Sequence, residues 1–136
     1  MSFENRTVMI TGAAGHLGKA VAAAFAQRGA RLVLVDRHDA SLEAAFGADA
    51  ASALVAADLL DARQAQAALD TAVARFGRVD ALCHVAGGFR MGEAVHETTD
   101  ATWEFLFDVN ARTLVNVARA VVPHMVKHGG GRIVAV

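Results

Sequence analysis

The sequence predicts an α/β fold, a doubly wound parallel sheet with helices on both of its faces. Short apolar runs alternate along the chain with longer segments whose apolar residues recur every three or four positions. This alternation is typical of parallel strands connected by crossover helices. The composition agrees, because 54% of the residues are hydrophobic besides 12 glycines, and strands covered on two faces need much apolar surface. The chain has room for about five strands.

Composition also limits the domain count and the classes of partner. The 136 residues suit one domain, and the net charge of −1 with no basic run indicates neither nucleic acid nor an anionic membrane as a partner. Cys83 is the single cysteine, so an internal disulfide is excluded. The N-terminus lacks the layout of a signal peptide, and no apolar run is long enough to span a membrane. We therefore expect a cytoplasmic protein.

A strand, a tight turn and a helix are predicted within residues 6–18, RTVMITGAAGHLG. The turn contains Gly12, Gly15 and Gly18. Gly12 can adopt backbone angles closed to other residues, Gly15 lets the main chain approach a ligand, and Gly18 lets the helix lie close to the strand. The first amides of the helix have no partner within it, so a pyrophosphate fits there. Because this spacing is not G-x-G-x-x-G, an ordinary strand-to-helix turn is the alternative.

A second buried strand is predicted at residues 31–35, and Asp36 follows it. Asp36 lies after Gly18 at about the 20-residue spacing at which an acidic side chain meets the adenosine ribose. A carboxylate there would accept hydrogen bonds from the ribose hydroxyls and repel a 2′-phosphate, which favours NAD over NADP. Arg37 beside it keeps NADP open. In the alternative interpretation, Asp36 only caps a short helix predicted at residues 41–46.

The third strand is predicted at residues 53–56, and Asp58 lies just past its end. In a doubly wound sheet, this is the edge that presents the ligand crevice, so Asp58 either contacts the adenine or only forms a turn. Asp61 and Gln64 have the spacing of a capping box, which predicts a structural role for Asp61 at the start of a helix. That helix is predicted to end at Gly77.

The fourth strand is predicted at residues 79–86, and Gly87-Gly88 follows it. Paired glycines at a strand end permit close approach of a ligand, although a simple turn also explains them. The loop at residues 89–98 has a length at which a function is suspected.

One long helix is predicted at residues 99–127, and the fifth strand begins at residue 132. One face of this helix is expected to be buried against the sheet. Its residues would be Trp103, Leu106, Asn110, Leu114, Val117 and Val121. Asn110 is the polar member, and an unpartnered buried amide costs about 1–3 kcal/mol. We therefore expect Asn110 to hold a group that needs a fixed position, or to tie two backbone segments together.

The chain resembles the short-chain dehydrogenase/reductase family over all 136 residues. The resemblance is carried by five features in the same order along the chain: Thr11-Gly12-x-x-Gly15-x-x-Gly18, Asp36, Asp58, the Ala86-Gly87 turn and Asn110. The resemblance implies a Rossmann-type fold and an NAD(P)-dependent oxidoreductase. Such an enzyme transfers a hydride between the nicotinamide and an alcohol or carbonyl substrate. It also implies a homo-oligomer.

The resemblance implies a role for each matching residue. The pyrophosphate would be lined by Gly12, Gly15, His16 and Leu17. The adenosine ribose would lie against Asp36 with Arg37 beside it, the adenine against Asp58 and Leu59, and the nicotinamide-side ribose against Ala86 and Gly87. Asn110 is the candidate catalytic residue, because it matches the helix asparagine that helps, through water, to hold the family's catalytic lysine.

The chain departs from the family pattern at two positions. The TGAAGHLG spacing resembles the branch that modifies sugar nucleotides, with His16 where the shorter branch has glycine. A sugar-nucleotide epimerase or dehydratase half is therefore a further possibility. Val85 replaces the asparagine that usually precedes Ala-Gly in the shorter branch.

The family's chemistry uses a serine after the fifth strand, followed by a tyrosine and a lysine, but the 136 residues contain no tyrosine. We therefore expect residues 1–136 to be an incomplete cofactor-binding domain without the C-terminal catalytic segment, truncated after about five strands and inactive alone. The alternative is a non-catalytic dinucleotide-binding module or sensor. We also expect open apolar sheet surface near strands four and five, and hence self-association.

His124 and His128 lie one helical turn apart and could chelate a metal. Two histidines without a third ligand more often form a solvated face, so no metal site is predicted.

Overall fold

The computed structural model describes residues 2–47 and 51–136, and strands alternate with helices along them. The strands are β1 (Thr7–Thr11), β2 (Arg31–Asp36), β3 (Ser52–Ala56), β4 (Ala81–His84) and β5 (Arg132–Ala135). The helices are α1 (His16–Ala26), α2 (Asp39–Phe46), α3 (Ala62–Phe76), α4 (Asp100–Phe107) and α5 (Thr113–Lys127). A short 3₁₀ turn covers Val95–Glu97, and a π-helical segment, Asp108–Arg112, joins α4 to α5.

The strands pair in one parallel sheet of order β3-β2-β1-β4-β5. Thr11 at the end of β1 lies in register with Val35 of β2 on one side and with His84 of β4 on the other. The chain first builds outward from β1 to β3 and then returns to the other side of β1. Ligands bind where the strand order reverses in this way, outside the carboxyl ends of the strands. The predicted fold class is confirmed.

Helices cover both faces of the sheet, so the central strands are buried on two sides. On one face, Met9, Val33 and Val35 pack with residues of α3 and α5, among them Leu69, Val117 and Val121. On the other face, Val8, Ile10, Leu32 and Leu34 pack with Ala22 of α1 and Leu42 of α2. Every residue of β1 is buried, which explains why its sequence lacks the polar alternation of a half-exposed strand.

The start of α3 is correctly placed by the sequence, but its polar contacts differ from a capping box. Asp61 accepts a hydrogen bond from the Arg63 amide (2.9 Å), and Gly77 ends the helix at φ +81°. The side-chain and backbone hydrogen bonds from Arg63 lower the pKa of Asp61 to about 2. Gln64 does not return to the Asp61 amide. Instead, its side-chain oxygen accepts from the Asp58 amide at 2.8 Å.

The predicted inward stripe of the long helix is wrong in its N-terminal half. Trp103 is 61% exposed and stacks on Phe107 with ring centroids 5.5 Å apart, and Asn110 is also exposed. The π-helical segment changes the phase of the helix, so a uniform spacing cannot continue through it. The buried face begins only after that segment and consists of Thr113, Asn116, Val117, Ala120, Val121 and Met125. No helix in the described part of the chain has the length and apolar character to cross a membrane.

Replacing Gly18 with alanine should destabilise the fold by about 1–3 kcal/mol, because the new Cβ would overlap backbone atoms of Gly12 and Ala13. Gly15→Ala is the matched control in the same turn, since its Cβ would meet only the Gly12 carbonyl oxygen at 3.3 Å. It should cost less than about 1 kcal/mol. Urea unfolding of both variants measures the difference. Equal free energies of unfolding would contradict this packing.

The 136-residue chain should self-associate, because all four residues of β5 are exposed, with Ile133 at 41% and Val134 at 58%. Light scattering measures the association. Monodisperse monomers with a cooperative melt would contradict the expectation.

Candidate functional site

The carboxyl ends of the strands open on a cavity of about 470 Å³ between the start of α1 and the segment that follows β4. This volume lies within the range of small-molecule and cofactor sites. The cavity lining includes every residue predicted to contact a cofactor: Gly12, Gly15, His16, Leu17, Asp36, Arg37, Asp58, Leu59, Ala86 and Gly87. The structure thus brings together residues from four separate turns. Their contact with a cofactor remains a prediction.

The glycine turn is shaped by close packing on two sides. Gly12 has φ +65°, and a Cβ there would lie 2.7 Å from the Ala86 amide nitrogen. Gly18 lies so close to the Gly12 carbonyl and to Ala13 that any side chain would overlap them. Gly15, the residue before α1, has only one moderately close neighbour. The residues at the start of α1 line the cavity, and the first amides of that helix have no partner within it and lie at the positive end of its dipole.

Asp36 is held at the edge of the glycine turn. One of its carboxylate oxygens accepts from the Ala14 amide at 3.0 Å, and the other accepts from the Arg37 amide at 2.8 Å. The alternative role as a cap of α2 is wrong, because the N-cap position of that helix is His38. A carboxylate has about four acceptor sites. Asp36 therefore keeps acceptor capacity toward the cavity after both amides are satisfied.

Asp58 forms the turn after β3, which was one of the two alternatives for this residue. It also lines the cavity. Its side chain accepts from the Leu60 amide at 3.0 Å. The same turn is held from below by Asn116 of α5, whose amide nitrogen donates to the carbonyl oxygens of Leu59 (2.9 Å) and Leu60 (3.1 Å). Asn116 is buried, and the sequence analysis missed it. A polar residue between apolar positions of a helix was the available signal.

The segment after β4 is clamped by Asn110. Its side-chain oxygen accepts from the Gly88 amide (3.1 Å), and its side-chain nitrogen donates to the carbonyl oxygens of Gly88 (2.9 Å) and Leu106 (2.9 Å). Asn110 thus ties two backbone segments together, which was the second of the two expectations. A Cβ on Gly87 would lie 2.7 Å from the side-chain oxygen of Asn110. The absence of a side chain at Gly87 therefore leaves room for the Asn110 carboxamide.

A buried histidine, His84, lies beneath this segment at the end of β4. It is 2% exposed, its Nδ1 is 2.9 Å from the Thr11 hydroxyl, and its Nε2 is 3.3 Å from the Thr113 hydroxyl. Burial lowers the pKa of His84, because the charged imidazolium loses its hydration. The sequence shows the histidine but not its two threonine partners, which are distant in the chain.

The loop at residues 89–98 borders a second pocket, of about 290 Å³. Phe89 and Met91 are 80% and 83% exposed. The guanidinium of Arg90 lies over the Phe105 ring, 4.1 Å from its centroid, within the range of a cation–π contact. The loop therefore presents both apolar and charged groups next to the predicted cofactor site.

His124 and His128 bond to backbone groups. The Nε2 of His124 accepts from the Val79 amide at 3.2 Å, and the His128 ring nitrogen Nδ1 donates to the His124 carbonyl at 2.8 Å. Within residues 2–47 and 51–136, no group of three potential metal ligands comes together.

Comparisons with known proteins identify the family. A family model described as short chain dehydrogenase matches residues 6–136. D-threitol dehydrogenase of Mycolicibacterium smegmatis is 36% identical over 135 residues, covering 96% of this chain and 52% of that protein. The chain therefore belongs to the short-chain dehydrogenase/reductase family, and it spans about half the length of the curated relatives that it matches.

Solved structures agree in fold. The crystal structure of gox2181 superposes with a TM-score of 0.94 at 27% identity, covering 99% of this chain and 54% of that one. The 3-ketoacyl-(acyl-carrier-protein) reductase of Brucella melitensis, complexed with NADH, gives a TM-score of 0.86 at 31% identity, covering 94% and 53%. D-threitol dehydrogenase and the 3-ketoacyl-(acyl-carrier-protein) reductase are named for different substrates, so family membership does not define a substrate.

The stability of the chain should fall as the pH drops below about 6.5. The pKa of folded His84 lies below its ordinary value, so the unfolded chain takes up a proton first. The free energy of unfolding should then fall by up to about 1.4 kcal/mol per pH unit for one histidine of this kind. Urea unfolding between pH 5 and pH 7.5 measures it. His84→Asn should reduce the slope, His96→Gln at an exposed site should not, and an unchanged slope in His84→Asn would contradict the assignment.

Proposed function

We propose that this chain binds a nicotinamide dinucleotide in the cavity, with NAD preferred over NADP, and forms the cofactor-binding part of an oxidoreductase that acts on an alcohol or carbonyl substrate. The observation that carries the proposal is the Asp36 carboxylate, fixed by the Ala14 amide at the edge of the glycine turn. Family membership supports it, as does the NADH complex of a reductase with the same fold.

The residues around the cavity fit such a cofactor. The first amides of α1 would bind the pyrophosphate, because they are unpaired donors at the positive end of a helix dipole. Asp36 would accept from the adenosine ribose hydroxyls, and the turn of Asp58 and Leu59 would border the adenine. Ala86 and Gly87 would contact the ribose next to the nicotinamide. When bound, the nicotinamide supplies or accepts the hydride.

The preference for NAD follows from charge. A 2′-phosphate would bring its negative charge against the Asp36 carboxylate, and like charges in contact cost several kcal/mol. Both carboxylate oxygens already accept from backbone amides that fix the side chain in place. Asp36 therefore cannot turn away without leaving the Ala14 amide unpaired. Arg37 offers the opposite charge beside it, but on a longer and exposed side chain.

The chain is proposed to supply cofactor binding, with residues 1–136 as an incomplete domain and the proton-transfer groups outside it. None of the 136 residues is a tyrosine, the residue that the family resemblance implies for that step. Asn110 is proposed to steady the catalytic lysine through water. The hydrogen bonds to Gly88 and Leu106 support this role, since they fix its carboxamide next to the nicotinamide end of the cavity.

Titration with NADH should raise nicotinamide fluorescence, and NADPH should bind more weakly. Asp36→Ala should weaken NADH by about tenfold or more, because a hydrogen bond to a charged group contributes about 1.5–3 kcal/mol. The same variant should bring the affinity for NADPH close to that for NADH. Asp39→Ala, an exposed carboxylate at the start of α2, is the control and should change neither affinity.

Two outcomes would contradict this proposal. A flat fluorescence response at millimolar NADH would reject nucleotide binding. Tighter binding of NADPH than of NADH by the unaltered chain would reject the role of Asp36 in cofactor preference.

A further inference from the structure

His84 is an ionisable side chain in an environment that excludes water. It is 2% exposed, and the two hydroxyls that it contacts belong to Thr11 and Thr113, which are 0% and 5% exposed. Buried polar groups need hydrogen-bond partners, and losing one costs more than the bond itself contributes. The arrangement of protons among these three side chains therefore follows from their contacts.

The Thr113 hydroxyl has one proton, and it is donated to the Val109 carbonyl oxygen at 2.8 Å. Toward His84 this hydroxyl can only accept, so Nε2 of His84 carries a proton. On the other side, the Thr11 hydroxyl accepts from the Ala86 amide at 3.3 Å and is free to donate to Nδ1 at 2.9 Å. The neutral Nε2–H tautomer satisfies every group.

The opposite tautomer would break this sequence of bonds. An unprotonated Nε2 would face the lone pairs of a Thr113 hydroxyl whose proton is already used by Val109. A doubly protonated ring would add a charge in a buried site, and burial lowers the pKa of His84. These hydrogen bonds form one chain, which we call the relay, and each group in it donates to the next. The relay runs from the Ala86 amide through Thr11, His84 and Thr113 to the Val109 carbonyl.

The far end of this relay lies at the π-helical segment. The Thr113 amide bonds to the Asp108 carbonyl, one residue further back than in an α-helix. The Val109 carbonyl accepts a hydrogen bond from the Thr113 hydroxyl. The next residue of the same segment, Asn110, clamps Gly88. Both ends of the segment 86–88 are therefore fastened to one irregular helical turn.

We propose that His84 is a positioning residue for the nicotinamide end of the cavity, acting as the neutral Nε2–H tautomer that fixes segment 86–88 against the π-helical turn. It is not among the residues that line the cavity and acts through the Ala86 amide. The inference rests on the proposed function, because the segment that it fixes is the one assigned to the nicotinamide-side ribose. Asp36 and the first turn of α1, which serve the adenosine end, lie outside the relay.

The tautomer can be measured directly in the unaltered chain. Long-range ¹H–¹⁵N spectra should show His84 with a pyrrole-type nitrogen at Nε2 and a pyridine-type nitrogen at Nδ1 at neutral pH. A protonated Nδ1, whether in the other tautomer or in the imidazolium, would overturn the relay. This measurement needs no substitution, so it stands even if a variant fails to fold.

The positioning role is tested by comparing two ligands. Thr113→Val removes the acceptor for Nε2–H with little change in volume, and it should weaken NADH by about tenfold. Thr113 also lines the cavity, so Thr11→Val, at a relay residue outside that lining, should weaken NADH to a similar extent. Its affinity for ADP, which lacks the nicotinamide half, should stay within about twofold of the unaltered chain. Thr113→Ser keeps the hydroxyl and should restore NADH binding. Thr71→Val, which removes a hydroxyl bonded only within α3, is the matched control.

The outcomes separate this inference from the proposed function. If the unaltered chain binds NADH and Thr113→Val binds it with the same affinity, the positioning role alone is overturned. Equal weakening of NADH and ADP would also overturn it, since a general loss of structure would affect both. An unaltered chain that fails to bind NADH would overturn the proposed function together with the inference.

Discussion

The cavity depends on one close approach, that of the glycine turn after β1 to the segment after β4. A Cβ on Gly12 would lie 2.7 Å from the Ala86 nitrogen, so only glycine lets the two turns meet. The same approach brings the Thr11 hydroxyl within reach of both the Ala86 amide and His84. Glycine at this position therefore determines how two parts of the sheet edge fit together, besides any contact with a ligand.

Much of the fold could be predicted because local patterns decide it. The five strands, the glycine turn and the cap of α3 all follow from apolar runs and turn residues within short windows. The inward stripe at Trp103 failed for a different reason. A π-helical segment is stabilised by contacts of Asn110 and Thr113 with distant turns, and no window of helical sequence contains those partners. Gln64 and Asn116 were misjudged or missed for the same reason, since each bonds outside its own helix.

The functional and structural interpretations of the polar residues prove compatible at several positions. Asp36 braces the Ala14 amide and still faces the cavity, and Asp58 forms a turn that also lines it. Asn110 joins two backbone segments at the place where the resemblance predicts a supporting role. A residue can be fixed by its own hydrogen bonds and, because it is fixed, present its remaining acceptors in a defined direction.

Three polar side chains of one continuous helical segment reach different ends of the cavity. Asn110 and Thr113 form hydrogen bonds with Gly88 and His84 on the β4 side. Asn116 donates to the Leu59 carbonyl in the turn after β3. All three belong to the continuous helical segment of residues 108–127. A slide or rotation of this helix would shift both borders in concert.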